Sequence, residues 1–164
     1  MIKNNVTRML EKRGISYTAY ELPREKLGAL ETARRLGVPP ERVFKTIVVV
    51  RSGRGKPILA VVSAVQEVNL KAVAQAVGEK KVRVPPQKEA ERLTGLQAGG
   101  ISPLALLGRG FTIVADTSMT EADFLHISGG QRGLNLRLQV ADFLHLTGAR
   151  VAPIGRPLPP SPKE

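Results

Sequence analysis

Three short stretches carry residue types that a plain hydrophobic core does not need. The first is VFKTIVVV at 43–50, where Lys45 opens a run of aliphatic, mostly β-branched residues that reads as a strand buried on both faces. Side chains alternate along a strand, so the ammonium group falls on one face with Val43, Ile47 and Val49. It is a fixed cation at the start of a core strand, unless the side chain snorkels and only its stem is buried. The second stretch is AGGISP, in which Gly99 and Gly100 precede Ile101, Ser102 and Pro103. Adjacent glycines let a backbone come close to a ligand and present its N–H groups as donors, although an ordinary turn also uses them. The third is ISGGQRGLNLRL, where Ser128, Gly129 and Gly130 lead into the polar pair Gln131 and Arg132. Small residues at a strand exit leave room for a ligand, and Ser128 offers a hydroxyl, but a hairpin turn would look the same. Together the three describe a donor-rich ligand cleft.

Other site chemistry finds little support. The two histidines, His126 and His145, have no partners at metal-ligand spacing, and His145 sits in an apolar helical segment where packing is the simpler role. GRGKP lacks the spacing of a phosphate-binding P-loop. No serine, histidine and aspartate set stands out. With no cysteine in the chain, disulfides, thiolate metal sites and a cysteine nucleophile are all excluded.

The charge says what the ligand could be. Lys and Arg total 25 against 14 acidic residues, a net charge of +11, which suits a polyanion such as nucleic acid. A generally basic, solvated surface is the competing explanation. No stretch approaches the ~20 apolar residues of a membrane span. The N-terminal MIKNNVTRML, broken by Asn4, Asn5 and Arg8, does not read as a signal peptide, so a cytoplasmic protein is expected.

The elements that must position these stretches alternate between helix and strand. Asn5 is expected to cap a helix bearing Val6, Met9 and Leu10, with Gly14 as its stop. SYTAYEL at 16–22 reads as a strand, and ALETARRLG as a helix ended by Gly37. After the Lys45 strand, RSGRGKP makes a hairpin-like turn into ILAVVSAV at 58–65. Asn69 caps LKAVAQAVG, KVRV is a short strand, and PPQKEAERLTG runs from an initial proline to a terminal glycine as helices do. LQAGGISPLAL is a loop, FTIVAD and FLHIS are strands, LNLRL alternates as a half-buried strand, VADFLHLTG is a last helix, and RVAPI adds a strand. One α/β domain over residues 1–154 follows, with a proline-rich, disordered tail at 155–164.

VFKTIVV, GGISPL and SGGQRGLNLRL, in this order and separation, resemble the YbaK-type (YbaK/EbsC) Cys-tRNA(Pro) deacylases, relatives of the prolyl-tRNA synthetase editing domain. The resemblance runs from about Thr7 to Val151. It implies a mixed, barrel-like sheet flanked by helices, and a trans-editing enzyme that deacylates mischarged tRNA, with Cys-tRNA(Pro) as its substrate. The implied partners are tRNA and prolyl-tRNA synthetase, with no cofactor and no metal. The family's lysine falls on Lys45, its loop glycine on Gly100 and its serine on Ser128, and Tyr20 and Thr46 fall near the pocket. Gly99, Ile101, Ser102, Gly129, Gly130, Arg132 and Asn135 complete the implied substrate-binding set. In two places the chain departs from the pattern. Asn135 replaces a common aspartate and cannot serve as a base, and His126 replaces a frequent aromatic residue. With no activated nucleophile in view, the implied chemistry is substrate-assisted. Two alternatives stay open: a deacylase for alanine or another small amino acid, and a non-catalytic tRNA- or synthetase-binding module.

Overall fold

The computed structural model describes residues 2–160. Its first helix, α1 (Asn5–Lys12), is capped by Asn4 and not by Asn5. The Asn4 side chain accepts from Thr7 N at 2.9 Å, and Thr7 Oγ1 accepts from Asn4 N at 2.9 Å, so two orphan donors are satisfied reciprocally. The Asn4 amide also donates to Gly129 O at 2.9 Å and to Gln131 Oε1 at 3.0 Å. The helix start therefore holds the second glycine loop.

Strand β1 (Tyr17–Glu21) pairs antiparallel with β8 (Leu134–Gln139), which pairs antiparallel with β7 (Phe124–Ser128). A second sheet has the order β5 (Val82–Arg83), β2 (Phe44–Arg51), β3 (Ile58–Ser63), β6 (Thr112–Asp116), β9 (Arg150–Ala152). Helices α2 (Ala29–Leu36), α3 (Leu70–Val77), α4 (Gln87–Thr94) and α5 (Val140–Thr147) connect these strands. Alternation along β2 sends Phe44 and Val48 into one core with the three-stranded sheet, α1 and α5. Ile47 and Val49 face a second core with Val73 and Ala74 of α3. Fully burying one such aliphatic side chain contributes about 1.5–3 kcal/mol, so β2 and β3 anchor the whole domain.

The sheet is mixed, but it is not closed into a barrel. A parallel bridge between Val43 and His126 joins the two main sheets. On its side away from β3, β2 meets β5 at Val50 and Arg51, and among the described residues Phe44 to Val49 have no strand partner there. The gap left by this open edge is where the cavity described below lies.

Two expectations need correction. His145 is exposed, because Val140 and Phe143 form the buried face of α5. The segment from Gly155 is also not wholly a free tail. Gly155–Pro157 form β10, antiparallel to β4 (Gln66–Val68), an additional strand that has no counterpart in the sequence-based assignment. Pro157 itself supplies no donor, and the chain is held to the next segment by Leu158 N, which donates to Val65 O at 3.1 Å. Residues 161–164 of the expected tail lie outside the described residues.

Asp116 explains why the chain turns there. Its Oδ1 accepts from Ile154 N at 3.0 Å and Gly155 N at 2.8 Å, and its Oδ2 from Gln66 Nε2 and Ser118 N, both at 3.0 Å. Burial raises the carboxyl's pKa, but the hydrogen bonds from Ser118, Gln66 and Gly155 outweigh it and hold the group below its ordinary value. Deleting 155–164 removes β10 and two charge-assisted bonds, Gly155 N to Asp116 and Arg156 Nε to Glu67, and is expected to cost about 2 kcal/mol or more. Thermal melts of the full and shortened chains test this; identical melting temperatures would mean that β10 adds no stability.

Candidate active site

A cavity of about 310 Å³ opens beside the free edge of β2. The first five residues of the Lys45 segment, Val43 to Ile47, form one wall. Because the strand edge is open, residues of both faces line the space. Opposite are Ala98, Gly99 and Ile101 of the first glycine loop, Ser128 at the end of β7, and Gly133 to Asn135 entering β8. The connection from β1 to α2 closes the remaining side with Leu22, Pro23, Glu25, Lys26, Leu27 and Gly28. That connection was not singled out in the sequence, where its Pro and Gly mark only a loop.

Lys45 is half-buried. Among the described residues its ammonium makes no ion pair, and Glu67 attracts it from beyond ion-pair distance. Burial lowers its pKa below the ordinary 10.5, and the Glu67 carboxylate partly offsets this. Next to it, Thr46 Oγ1 is buried and has no hydrogen-bond partner among the described residues. Both are costly for stability, and a ligand rich in acceptor oxygens in the cavity would offset the cost of the desolvated cation.

The glycine loops pack on each other. A Cβ on Gly100 would lie 2.8 Å from Gln131 Cα and 2.9 Å from Gln131 C, so only glycine allows this backbone contact. Arg132 Nε donates to Ala98 O at 2.6 Å and fastens the loops from the other side. Gly133, at φ +87°, lets β8 pass Leu22 and Arg24, and Leu22 N donates to Gly133 O at 2.9 Å. Several loop amides are already engaged: Gly100 N with Gln97 O at 2.8 Å, Gly129 N with Leu134 O at 2.9 Å, and Gly130 N with Ser128 Oγ at 3.2 Å.

Of the twelve residues singled out from the sequence, Lys45, Thr46, Gly99, Ile101, Ser128 and Asn135 line the cavity. Gly100, Gly129, Gly130 and Arg132 stand behind them in the packed loops. Ser102 is buried as the cap of the turn at Pro103–Ala105, accepting from Leu104 N at 3.2 Å. Tyr20 sits across from Asn135 on β1, its ring 5.5 Å from that of His126.

The two departures from the family pattern touch each other. His126 Nδ1 and Asn135 Oδ1 are 3.3 Å apart in a buried contact. Since the amide oxygen only accepts, the ring holds its proton on Nδ1. Burial lowers the His126 pKa below 6.5, the bond to Asn135 raises it, and the charge of Arg137 lowers it further. In this window the unfolded chain takes up a proton before the folded one does. The stability that neutral His126 contributes is complete above pH 6.5 and is lost as pH falls from there toward its folded pKa. His126→Phe is expected to flatten this part of the profile, as melting temperatures between pH 8 and pH 5 would register. An unchanged acid slope would exclude His126 as its source.

No cluster of three or more metal-ligating side chains occurs among the described residues. No helix among them is long and apolar enough to cross a membrane.

Comparison with known proteins agrees with this geometry. Residues 25–146 match the aminoacyl-tRNA editing domain. The chain is 34% identical over 154 residues, 93% of each chain, to the Enterococcus faecalis protein named "Putative Cys-tRNA(Pro)/Cys-tRNA(Cys) deacylase EbsC". A crystal structure described as a "putative trans-editing enzyme for prolyl tRNA synthetase" superposes with a TM-score of 0.79 at 25% identity, covering 95% of this chain and 99% of that one. A hypothetical protein of known structure shares the fold at a TM-score of 0.84 and 24% identity, over 93% of this chain and all of that one. With a family match over most of its length, and a cavity built from the stretches that carry the resemblance, the chain belongs to the aminoacyl-tRNA editing domain family.

Proposed function

We propose that the protein is a trans-editing deacylase acting on Cys-tRNA(Pro), working in the cytoplasm alongside prolyl-tRNA synthetase. Lys45 carries the reading: a half-buried ammonium with no ion pair among the described residues, on an open strand edge that lines a cavity of about 310 Å³ together with the first glycine loop and Ser128. Family membership and the deacylase name of the Enterococcus relative support it.

The cavity's polar groups can bind and orient an ester, but they do not supply an activated nucleophile. Asn135 cannot take a proton, His126 points its Nδ1 proton at Asn135, and the lining carboxylate, Glu25, is on the exposed rim. The substrate therefore supplies the nucleophile. The cysteine sulfur attacks its own ester carbonyl and expels the ribose oxygen, which takes up the thiol proton; water then opens the cyclic thioester. Lys45 stabilises the charge that develops on the carbonyl oxygen, with the Gly99 and Ile101 backbone on the facing wall. Ser128 and Asn135, cross-strand partners, orient the ester. Positioning and electrostatics of this kind supply several kcal/mol without a catalytic base.

Single-turnover deacylation of cysteinyl-, alanyl- and prolyl-tRNA(Pro) tests the proposal. Cysteinyl-tRNA is expected to be cleared fastest. Faster release of alanine would reassign the substrate, and tight tRNA binding with no ester cleavage would leave only a binding module.

A further inference from the structure

Lys45 also borders a second space. On its far side a groove of about 400 Å³ runs between β4, the start of α3 and β10, with Ile47, Glu67, Asn69, Lys71 and Arg156 among its walls. With Lys45, three of the lining side chains are cations, and one is a carboxylate. Arg156 Nε donates to Glu67 Oε1 at 2.7 Å, which neutralises that carboxylate locally. Lys71 is exposed and makes no ion pair among the described residues, unlike Lys3, Arg34 and Arg83, which are paired with Glu11, Glu31 and Glu89. Lys71 also lies in the first turn of α3, where the helix field adds to its charge. Val84, 50% exposed, and Leu70 give the groove an apolar floor without an aromatic ring. Such a surface suits phosphate and ribose better than a stacked base.

The geometry points to this groove as the track of the RNA strand that leads into the cavity, with Lys71 and Arg156 contacting the phosphates just before the terminal adenosine. The inference rests on the deacylase reading of the cavity. A substrate whose ester lies in the cavity must leave it along some wall. The rim at β1–α2 carries the exposed carboxylate of Glu25 between the cations Arg24 and Lys26, and Lys26 donates to Gln87 Oε1 at 2.7 Å. The Lys45 side is the wall shared by both spaces, and beyond it the charge is net positive. Lys45 then stands where the last phosphate and the ester meet. It also follows that β10 contributes to substrate binding, since it presents Arg156.

The test uses the full chain with Lys71→Ala and Arg156→Ala, singly and together, and Lys71→Arg as the conservative variant. Both residues are exposed, and thermal melts confirm that each variant is folded. The double variant is expected to raise KM for Cys-tRNA(Pro) by about tenfold or more at low salt and leave kcat within about twofold, while Lys71→Arg stays near the parent. Log affinity for uncharged tRNA against log salt is expected to lose about 0.7 in slope for each phosphate contact removed. Hydrolysis of 3′-O-cysteinyl adenosine, which has no phosphate, should not change in the Lys71→Ala variant, which leaves the Arg156–Glu67 pair beside Lys45 intact. An unaltered KM and salt slope would overturn the track, and so would an equal loss by Lys71→Ala on the phosphate-free ester. Failure of the parent protein to hydrolyse any aminoacyl-tRNA would instead remove the reading of the cavity, while the salt slopes on uncharged tRNA would still report on the groove.

Discussion

Lys45→Met is expected to fold as well as the parent or better, and to lose about a hundredfold or more in deacylation. The loss corresponds to about 2–4 kcal/mol of transition-state stabilisation, the usual effect of removing one preorganised donor from a water-poor site. The gain in stability has a separate cause. The ammonium is desolvated in the fold and finds no ion pair among the described residues, so an uncharged thioether chain of similar length removes a cost. The two effects have different pH signatures. In the unfolded chain Lys45 titrates near 10.5, and in the fold it titrates lower. Below the folded value both states hold the proton, and the burial cost is felt in full. Between the two values the folded state releases its proton first, so the cost fades and the parent gains on the variant. The methionine variant's advantage in melting temperature is therefore largest near neutrality and shrinks as pH rises toward 10.5. Lys45→Arg is expected to be poor as well, because a planar guanidinium does not fit the space of a compact ammonium on a packed strand. Melts run beside single-turnover assays separate stability from chemistry. A folded methionine variant with near-parental turnover would remove Lys45 from the reaction.

Gly100→Ala is expected to damage both the fold and the activity. Its new methyl group would meet backbone, with Gln131 Cα at 2.8 Å and Arg132 N at 3.0 Å, so no side chain can swing away to accommodate it. The two glycine loops must move apart, at a cost of about 1–3 kcal/mol for overpacking. For a chain of this size that lowers the melting temperature by about 2–4 °C per kcal/mol. Activity should fall further than stability, because the same displacement carries Gly99 and Ile101 away from Ser128 and Lys45 across the cavity. A shift of about 1 Å in a positioned site can cost about a hundredfold in rate. Gly53→Ala is the matched control: its Cβ would find only the Glu79 side chain, from 3.5 Å outward, so its effect should stay within about 0.5 kcal/mol. A Gly100→Ala protein with parental melting temperature and turnover would show that the loop contact does not position the site.

The elements of the fold that depend on neighbours in sequence were legible without the structure. Gly37 and Gly78 end α2 and α3 in the left-handed conformation, at φ +67° and +74°, and Asn69 caps α3, as residue type and periodicity imply. The β-branched run after Lys45 is a strand whose faces serve two cores, and the mixed α/β class follows from the alternation of elements. The three chemistry-bearing stretches were also visible, because lysine, serine and paired glycines cost something where a core needs only apolar volume. What only the tertiary structure decided lies in contacts between distant segments. The strand pairing that puts Arg156 beside Glu67 joins residues 89 apart through elements of three residues each, too short to show a period. The approach of Gly100 to Gln131, the His126–Asn135 contact and the open edge of β2 are likewise invisible in any local window. Caps, turns and side-chain alternation are local backbone preferences and can be read over a few residues. Sheet edges and loop contacts depend on which distant segments bury each other, and on the loop-closure entropy overcome in bringing them together. The sequence therefore determined which residues could act, and the tertiary structure decided that they meet around one cavity beside an unpaired strand edge.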